Sequence, residues 1–379
     1  MQKILLTNGE NLKTLTTLRN LAKHNYEVHV SSDKWYACSF YSRYCKGKLR
    51  TINQSIDKEK FLQDHFDYII KNKIDIFIPI NPPELAIVLE NRKKFEDLKK
   101  QGINVKIPFD SFEKFDKARD KYDFYLICKK AKVNVPKTLL ALEKKLDFNF
   151  PVVLKERKGA GSERLKIAKN KNELEKYYKE FEEKNILNKY IVQEFVYGQN
   201  YGSASFSIKG ESKIIFNYIS VREFHVNYGT STSRKSIYDK TIENDVKKIL
   251  KVLKWNYIGH FDIIKTKSGE NYFIEMNPRL WLSISLPIYC GLDFPYYLVD
   301  EKATIPKNYK ENITARVLFS DILVFIKSNF KYFLNKKQYE KYKYPMKEFL
   351  QKSYFDDLDI KDLMPSLFLF FLALKGREI

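Results

Sequence analysis

Apolar positions in the first third of the chain follow two alternating periods. Ile4–Thr7 is a short apolar run, and Leu12, Leu15, Leu18 and Leu21 then recur at helical spacing across Asn11–Asn25. Glu27–Ser31 reads as a second strand, Lys58–Lys73 as a helix, and Ile74–Ile80 as a buried strand ending at Pro82-Pro83. This strand–helix–strand rhythm over residues 1–110 predicts an α/β unit with a parallel sheet covered on both faces. The turn after the first strand, Asn8-Gly9, does not continue as GxGxxG, which argues against a dinucleotide site there.

Beyond Asp110 the pattern changes. Phe112–Lys132 reads as one long charged helical region, followed by the extended Val133-Asn-Val-Pro136-Lys-Thr138, where Pro136 forces its predecessor out of the helical region. A strand over Phe150–Lys155, a loop with Gly159 and Gly161, a helix over Lys171–Lys184 and a strand over Tyr190–Phe195 come next. Further strands at Ser203–Lys209, Lys213–Val221, His260–Thr266 and Asn271–Met276 predict an α+β layer of antiparallel hairpins, the last two joined at Ser268-Gly269. After about Ile305 the chain turns aromatic and helical without interpretable turn chemistry.

Composition narrows the function less than the pattern does. The 379 residues carry a net charge of +21, but lysine is spread along the chain and alternates with glutamate, as in Lys169–Lys184 and Lys336–Lys347. That distribution reads as solvated helix faces with a modest pull on ATP and carboxylates, and it predicts no specific nucleic-acid partner. The four cysteines form no CxxC pair, so reduced thiols and a cytoplasmic location are expected. Lys3–Thr7 reads as a strand, not a secretory leader. The most apolar stretch, Ser366–Leu374, falls short of the ~20 residues of a membrane span. It fits a core helix, preferred here, or an interfacial anchor.

One constellation carries chemistry. Glu275 and Asn277, at i and i+2 of a strand, face the same side, and Asp262 lies on the strand expected opposite. Hard oxygens in that arrangement suit Mg²⁺, although a polar hairpin face would read the same way. Gly159-Ala-Gly161-Ser162 can bring backbone N–H groups close to phosphate, or can be a plain turn. The histidines show no metal spacing. The ordered series Asp120-Lys121, Val133–Pro136, Pro151–Lys155, Gln193-Glu-Phe-Val-Tyr-Gly198, Asp262 and Glu275-Met-Asn277-Pro-Arg279 resembles the ATP-grasp superfamily over about residues 115–300. The N-terminal unit, with Ser42-Arg43 and the Asp75–Pro79 strand, looks like that family's pre-ATP-grasp domain.

The resemblance implies an ATP-grasp fold at 111–305, with a small lobe at about 120–192 and a large lobe at about 193–305. A Rossmann-like pre-ATP-grasp domain at 1–110 would precede it, and a mainly helical extension at 306–379 would follow. It implies that Lys121 (with Lys117 the second choice) and Lys155 clamp ATP phosphates and that Gly159, Gly161 and Ser162 close over them. Gln193, Glu194, Phe195 and Val196 would line the adenine, with Glu194 and Val196 contributing backbone groups. Asn200 stands where many relatives place a ribose-binding carboxylate. Asp262, Glu275 and Asn277 would hold Mg²⁺ or Mn²⁺. Arg279 would grip the substrate carboxylate, Arg222 would be a second anion clamp or a surface arginine, and Gly229–Ser233 a second closing loop or a turn. The activity implied is an ATP-dependent ligase joining a small carboxylic acid to an amine through an acyl-phosphate, in a chain that can form homo-oligomers. The alternatives are an ATP-grasp phosphotransferase or carboxylase, or a nucleotide binder without catalysis. One departure stands out: Trp281-Leu282-Ser283 replaces the Trp-Gly-Ser of many relatives.

Overall fold

The computed structural model describes residues 1–159, 165–223, 231–331 and 344–374. Strands β1 (Lys3–Leu6), β2 (Glu27–Ser32), β3 (Cys45–Arg50) and β4 (Ile76–Ile78) form a parallel sheet in the order β3-β2-β1-β4. The four periodic leucines of helix Leu12–Lys23 are buried, as their spacing requires. The Pro82-Pro83 pair does more than end a strand: it occupies the first turn of helix Pro82–Glu90, where a missing N–H costs nothing.

The long charged helix of the sequence reading is in fact two. Helix Phe112–Arg119 stops at Asp120, whose backbone is extended (φ −75°, ψ 118°) and whose carboxylate accepts from Tyr122 N at 2.9 Å and Asp123 N at 3.3 Å. An aspartate that satisfies the orphan amides of the following turn starts a new helix, Lys121–Lys130, and thereby puts Lys121 at its first position.

Next comes a four-stranded antiparallel sheet of β5 (Thr138–Leu140), β6 (Val152–Glu156), β7 (Lys166–Ala168) and β8 (Tyr190–Glu194), in the order β5-β8-β6-β7. Helix Lys171–Glu183 covers one face with Leu174, Tyr178 and Phe181, packed with Val152 and Leu154. Because side chains alternate along a strand, Lys155 is turned away from that core.

The large sheet runs β13-β12-β9-β10-β11-β14-β15. Its strands are β9 (Gln199–Ile208), β10 (Glu211–Glu223), β11 (Ser231–Ile237), β12 (Tyr257–Lys265), β13 (Asn271–Asn277), β14 (Thr314–Arg316) and β15 (Tyr354–Phe355). Helix Lys240–Leu253 packs under it through Ile242, Val246, Ile249 and Leu250. The region after residue 305 is stitched into this sheet: β14 pairs antiparallel with β11, and β15 adds to β14. It is also pinned to the N-terminal unit by buried Asp362, which accepts from Arg19 Nε at 2.9 Å, Ser42 Oγ at 2.7 Å and the Arg43 amide at 2.9 Å. Helix Leu363–Leu374 buries Ser366 and Leu369, but its other face is apolar and exposed, so the core-helix reading of this stretch holds for one face only.

Candidate active site

The hairpin β12–β13 and the start of helix Lys121–Lys130 bring the predicted residues together. Asp262 and Glu275 are direct cross-strand partners, and the Asn277 amide donates to both, at 2.9 Å to Asp262 Oδ2 and 3.1 Å to Glu275 Oε1. The Asn277 carbonyl oxygen in turn accepts from Arg279 at 3.0 Å, so the i, i+2 geometry read from the sequence extends to Arg279. Lys121 Nζ reaches Glu275 Oε2 at 3.2 Å and donates to the Gly159 carbonyl at 2.8 Å, tying the start of the glycine loop to the carboxylates. Gly161 and Ser162, the rest of that loop, lie outside the described residues.

The charges explain one another. Burial alone would raise the Glu275 carboxyl, yet the Lys121 and Lys155 ammonium groups overcome it and hold it at about 2. Asp262 is pushed well above the usual carboxylate range by burial and by the like charge of Glu275. Burial pulls Lys155 down to about 8 against the opposing attraction of Glu275. Arg279 is lowered by burial, opposed by both carboxylates, and its Nε has no hydrogen-bond partner among the described residues.

This donor set fits a divalent cation. Two hard carboxylates face each other across the hairpin, and the Asn277 amide donates to both. No group of three His, Cys, Asp or Glu suited to a metal occurs among the described residues; the hard oxygens gathered here are those of Asp262 and Glu275, with the Asn277 side chain between them and Arg279.

Other predicted residues stand apart from this cluster. Lys117 is paired with Glu113 on an exposed helix face at 2.9 Å, which leaves Lys121 as the inward lysine. Gln193 is buried and donates to Thr138 Oγ1 at 2.8 Å. The amides of Glu194 and Phe195 donate to the carbonyls of Lys137 and Pro151, both at 3.0 Å, while Val196 follows just beyond β8. Asn200 donates to Glu223 at the far end of β10, which brings a carboxylate back beside the position where the sequence lacks one. Arg222 is not free for an anion: it makes two 3.1 Å bonds to the buried Asp321 and sits 3.8 Å from the Tyr344 ring centre. Gly229 and Thr230 lie outside the described residues, and Ser231–Ser233 open strand β11. Leu282 packs partly buried against the core, next to Trp281, which stacks on His260 at 5.4 Å.

Two further groups carry no role legible in the sequence, and one of them, His260, is expected to point away from the Asp262 face but does not. His260 accompanies Asp262 on one face of β12 and hydrogen-bonds Tyr218 at 2.8 Å, and burial drives it down to about 3. Lys13, from the N-terminal unit, is buried, and desolvation together with the nearby Arg279 charge lowers it well below an ordinary lysine. A lysine inside the regular helix Leu12–Lys23 carries no motif; only the fold sets it against Arg279.

A family model of the ATP-grasp domain matches residues 118–283, the span that contains every member of this cluster from Lys121 to Arg279. That span is similar in sequence to the ATP-grasp domain, and the fold over most of the chain is that of solved ATP-grasp structures. Among solved structures it resembles a biotin carboxylase from Campylobacter jejuni (TM-score 0.63, 18% identity, 83% of this chain and 74% of that one). An L-amino acid ligase from Bacillus licheniformis gives a TM-score of 0.63 at 13% identity, covering 79% and 73%. An N5-carboxyaminoimidazole synthetase from Staphylococcus aureus gives 0.62 at 14%, covering 87% and 86%. No curated protein matches the sequence.

Proposed function

We propose that this protein is an ATP-dependent ligase that activates a small carboxylic acid as an acyl-phosphate and transfers it to an amine, releasing ADP and phosphate. The observation carrying this reading is the convergence of Lys121, Lys155, Asp262, Glu275, Asn277 and Arg279 around one hairpin. Lys121 and Lys155 hold the ATP phosphates as point charges. The loop from Gly159 closes over them, and the backbone at Glu194 and Val196 receives the adenine. Mg²⁺ held by Asp262, Glu275 and Asn277 supplies charge neutralisation of the phosphates when bound.

Arg279 orients the acid's carboxylate beside the γ-phosphate, and buried Lys13 extends that cationic wall from the N-terminal unit. A carboxylate oxygen attacks the γ-phosphorus and the bond to ADP breaks. The amine nitrogen then attacks the acyl carbon, the carbon–oxygen bond to phosphate breaks, and the amine's surplus proton leaves to solvent. No cysteine or histidine nucleophile is needed, which agrees with thiols driven up by burial at Cys38 and Cys128 and a His260 kept neutral.

The test is ADP release with Mg²⁺–ATP against pooled carboxylic acids, bicarbonate included, with and without pooled amines. Stimulation that requires both an acid and an amine supports the reading. Release with bicarbonate alone, or a stable phosphorylated product, replaces it with a carboxylase or phosphotransferase.

A further inference from the structure

Most of the exposed large apolar side chains of the described residues fall in one region near the C-terminus. Helix Leu363–Leu374 is apolar almost all round. Its inner face, Ser366 and Leu369, is seated on the protein, while Leu363, Met364, Leu367, Phe370 and Phe371 repeat at helical spacing on the outer face, 40–59% exposed. Helix Leu318–Ile326 repeats the arrangement: Asp321 and Val324 are buried, Leu323 and Ile326 exposed, and Phe330 beyond it is 70% exposed. The two helices meet where Phe319 lies 5.3 Å from Phe370. On one side the row continues through Phe325 and Phe349 (4.5 Å) to exposed Met346 and Leu350; on the other, Phe368 stacks on Tyr41 at 4.7 Å and meets Trp35 edge-on at 6.3 Å. A continuous apolar face of this kind on a folded protein marks a contact surface.

Charge says what it contacts. Exposed basic residues flank these segments: Lys48 beside Tyr41, Arg50 beside Trp35, Arg43 donating to the Lys361 carbonyl, and Lys347, Lys352 and Lys361 along the C-terminal chain. Three carboxylates of the same region are turned inward, Asp356 onto Arg234, Asp362 onto Arg19 and Asp321 onto Arg222 and Arg316, while the exposed Glu348 is paired with Arg222 at 3.6 Å. An apolar face with a basic border complements an anionic lipid surface. A second copy of a chain with a net charge of +21 would bring like charge to like. No helix of the described residues is long and apolar enough to cross a membrane, so the contact is one of lying on the surface.

We propose that helices Leu318–Ile326 and Leu363–Leu374 dock this protein on the headgroup region of an anionic bilayer. This proposal is independent of the ligase reading. Trp35, 58% exposed at the edge of the face while Trp255 and Trp281 are buried, is a built-in reporter. The full chain is mixed with vesicles of phosphatidylcholine alone or with phosphatidylglycerol added, and sedimentation and tryptophan emission are recorded. We expect binding to the anionic vesicles with a blue shift, weakening as salt rises. Phe371→Glu should weaken it about tenfold or more, Leu367→Gln less so, and Leu142→Glu, at an exposed position of the turn Ala141–Glu143 after β5, not at all. Absence of vesicle binding would overturn the proposal, as would binding that Phe371→Glu leaves unchanged. A concentration-dependent dimer that Phe371→Glu dissolves, without lipid binding, would assign the face to a second copy instead.

Discussion

Replacing Glu275 with glutamine removes one negative charge and leaves the shape of the hairpin intact. The Lys121–Glu275 pair at 3.2 Å is worth about 5 kcal/mol of attraction at an effective dielectric of about 20. Across the hairpin, Asp262 repels the same carboxylate from a cross-strand distance of roughly 5 Å, a penalty of about 3 kcal/mol on the same scale. The difference leaves about 2 kcal/mol and Lys155 adds further attraction, so Glu275→Gln should lower folding stability by about 2–3 kcal/mol. Catalysis has no such offset. An amide cannot replace the charged ligand of a divalent ion shared with ATP, and a loss of about 4 kcal/mol or more in the transition state is about a thousandfold in rate. The assay is steady-state ADP release across Mg²⁺ concentrations, with thermal unfolding measured in parallel. A variant that turns over within threefold of the parent at ordinary Mg²⁺ would remove the metal assignment. A variant that loses its fold would refute the charge balance.

Three further outcomes follow from the same geometry. Lys155→Ala should raise the ATP concentration needed for half-maximal rate at least tenfold, with little change in melting temperature; an unchanged ATP requirement would end its role as a clamp. Arg222→Ala should act on stability, costing about 3 kcal/mol in urea unfolding because Asp321 loses its two-bonded partner inside the protein, while the KM values stay put; a selective rise in the acid's KM would restore Arg222 as a substrate clamp. His65 is fully buried and held at about 4 by desolvation, against 6.5 for a free histidine. Its neutral form is the folded one, so stability is complete above pH 6.5 and is lost as pH falls toward 4, by about 2.5 kcal/mol at pH 4.5. Urea midpoints at pH 7.5 and 4.5 should show this slope, and His65→Gln should flatten it; an equal slope in both would refute the assignment.

What the sequence made legible was local. The leucine spacing of Leu12–Leu21 and the i, i+2 relation of Glu275 and Asn277 each describe neighbours on one element, and periodicity suffices for those. Helix Lys240–Leu253 carries the same kind of signal in Ile242, Val246, Ile249 and Leu250, masked by the lysines between them. The break at Asp120 was hidden because apolar spacing continues across it; the clue was an aspartate positioned to cap, and that one residue aims Lys121 at Glu275. Long-range pairing left no local trace at all. Arg222 finds Asp321 ninety-nine residues on, and Lys13 comes against Arg279 from another unit. Nor did the aromatic C-terminal region announce that it would add two strands to the large sheet, since β14 and β15 are three and two residues long.

Isotope transfer separates acyl-phosphate chemistry at the Lys121–Glu275–Arg279 cluster from its alternatives. With an acid–amine pair that stimulates ADP release, the acid is labelled with ¹⁸O in its carboxylate and the released phosphate is analysed by mass. The account predicts one ¹⁸O atom carried from the acid into each phosphate formed, because the oxygen that attacks phosphorus stays with it. Phosphate without label, while the coupled product still forms, would contradict it.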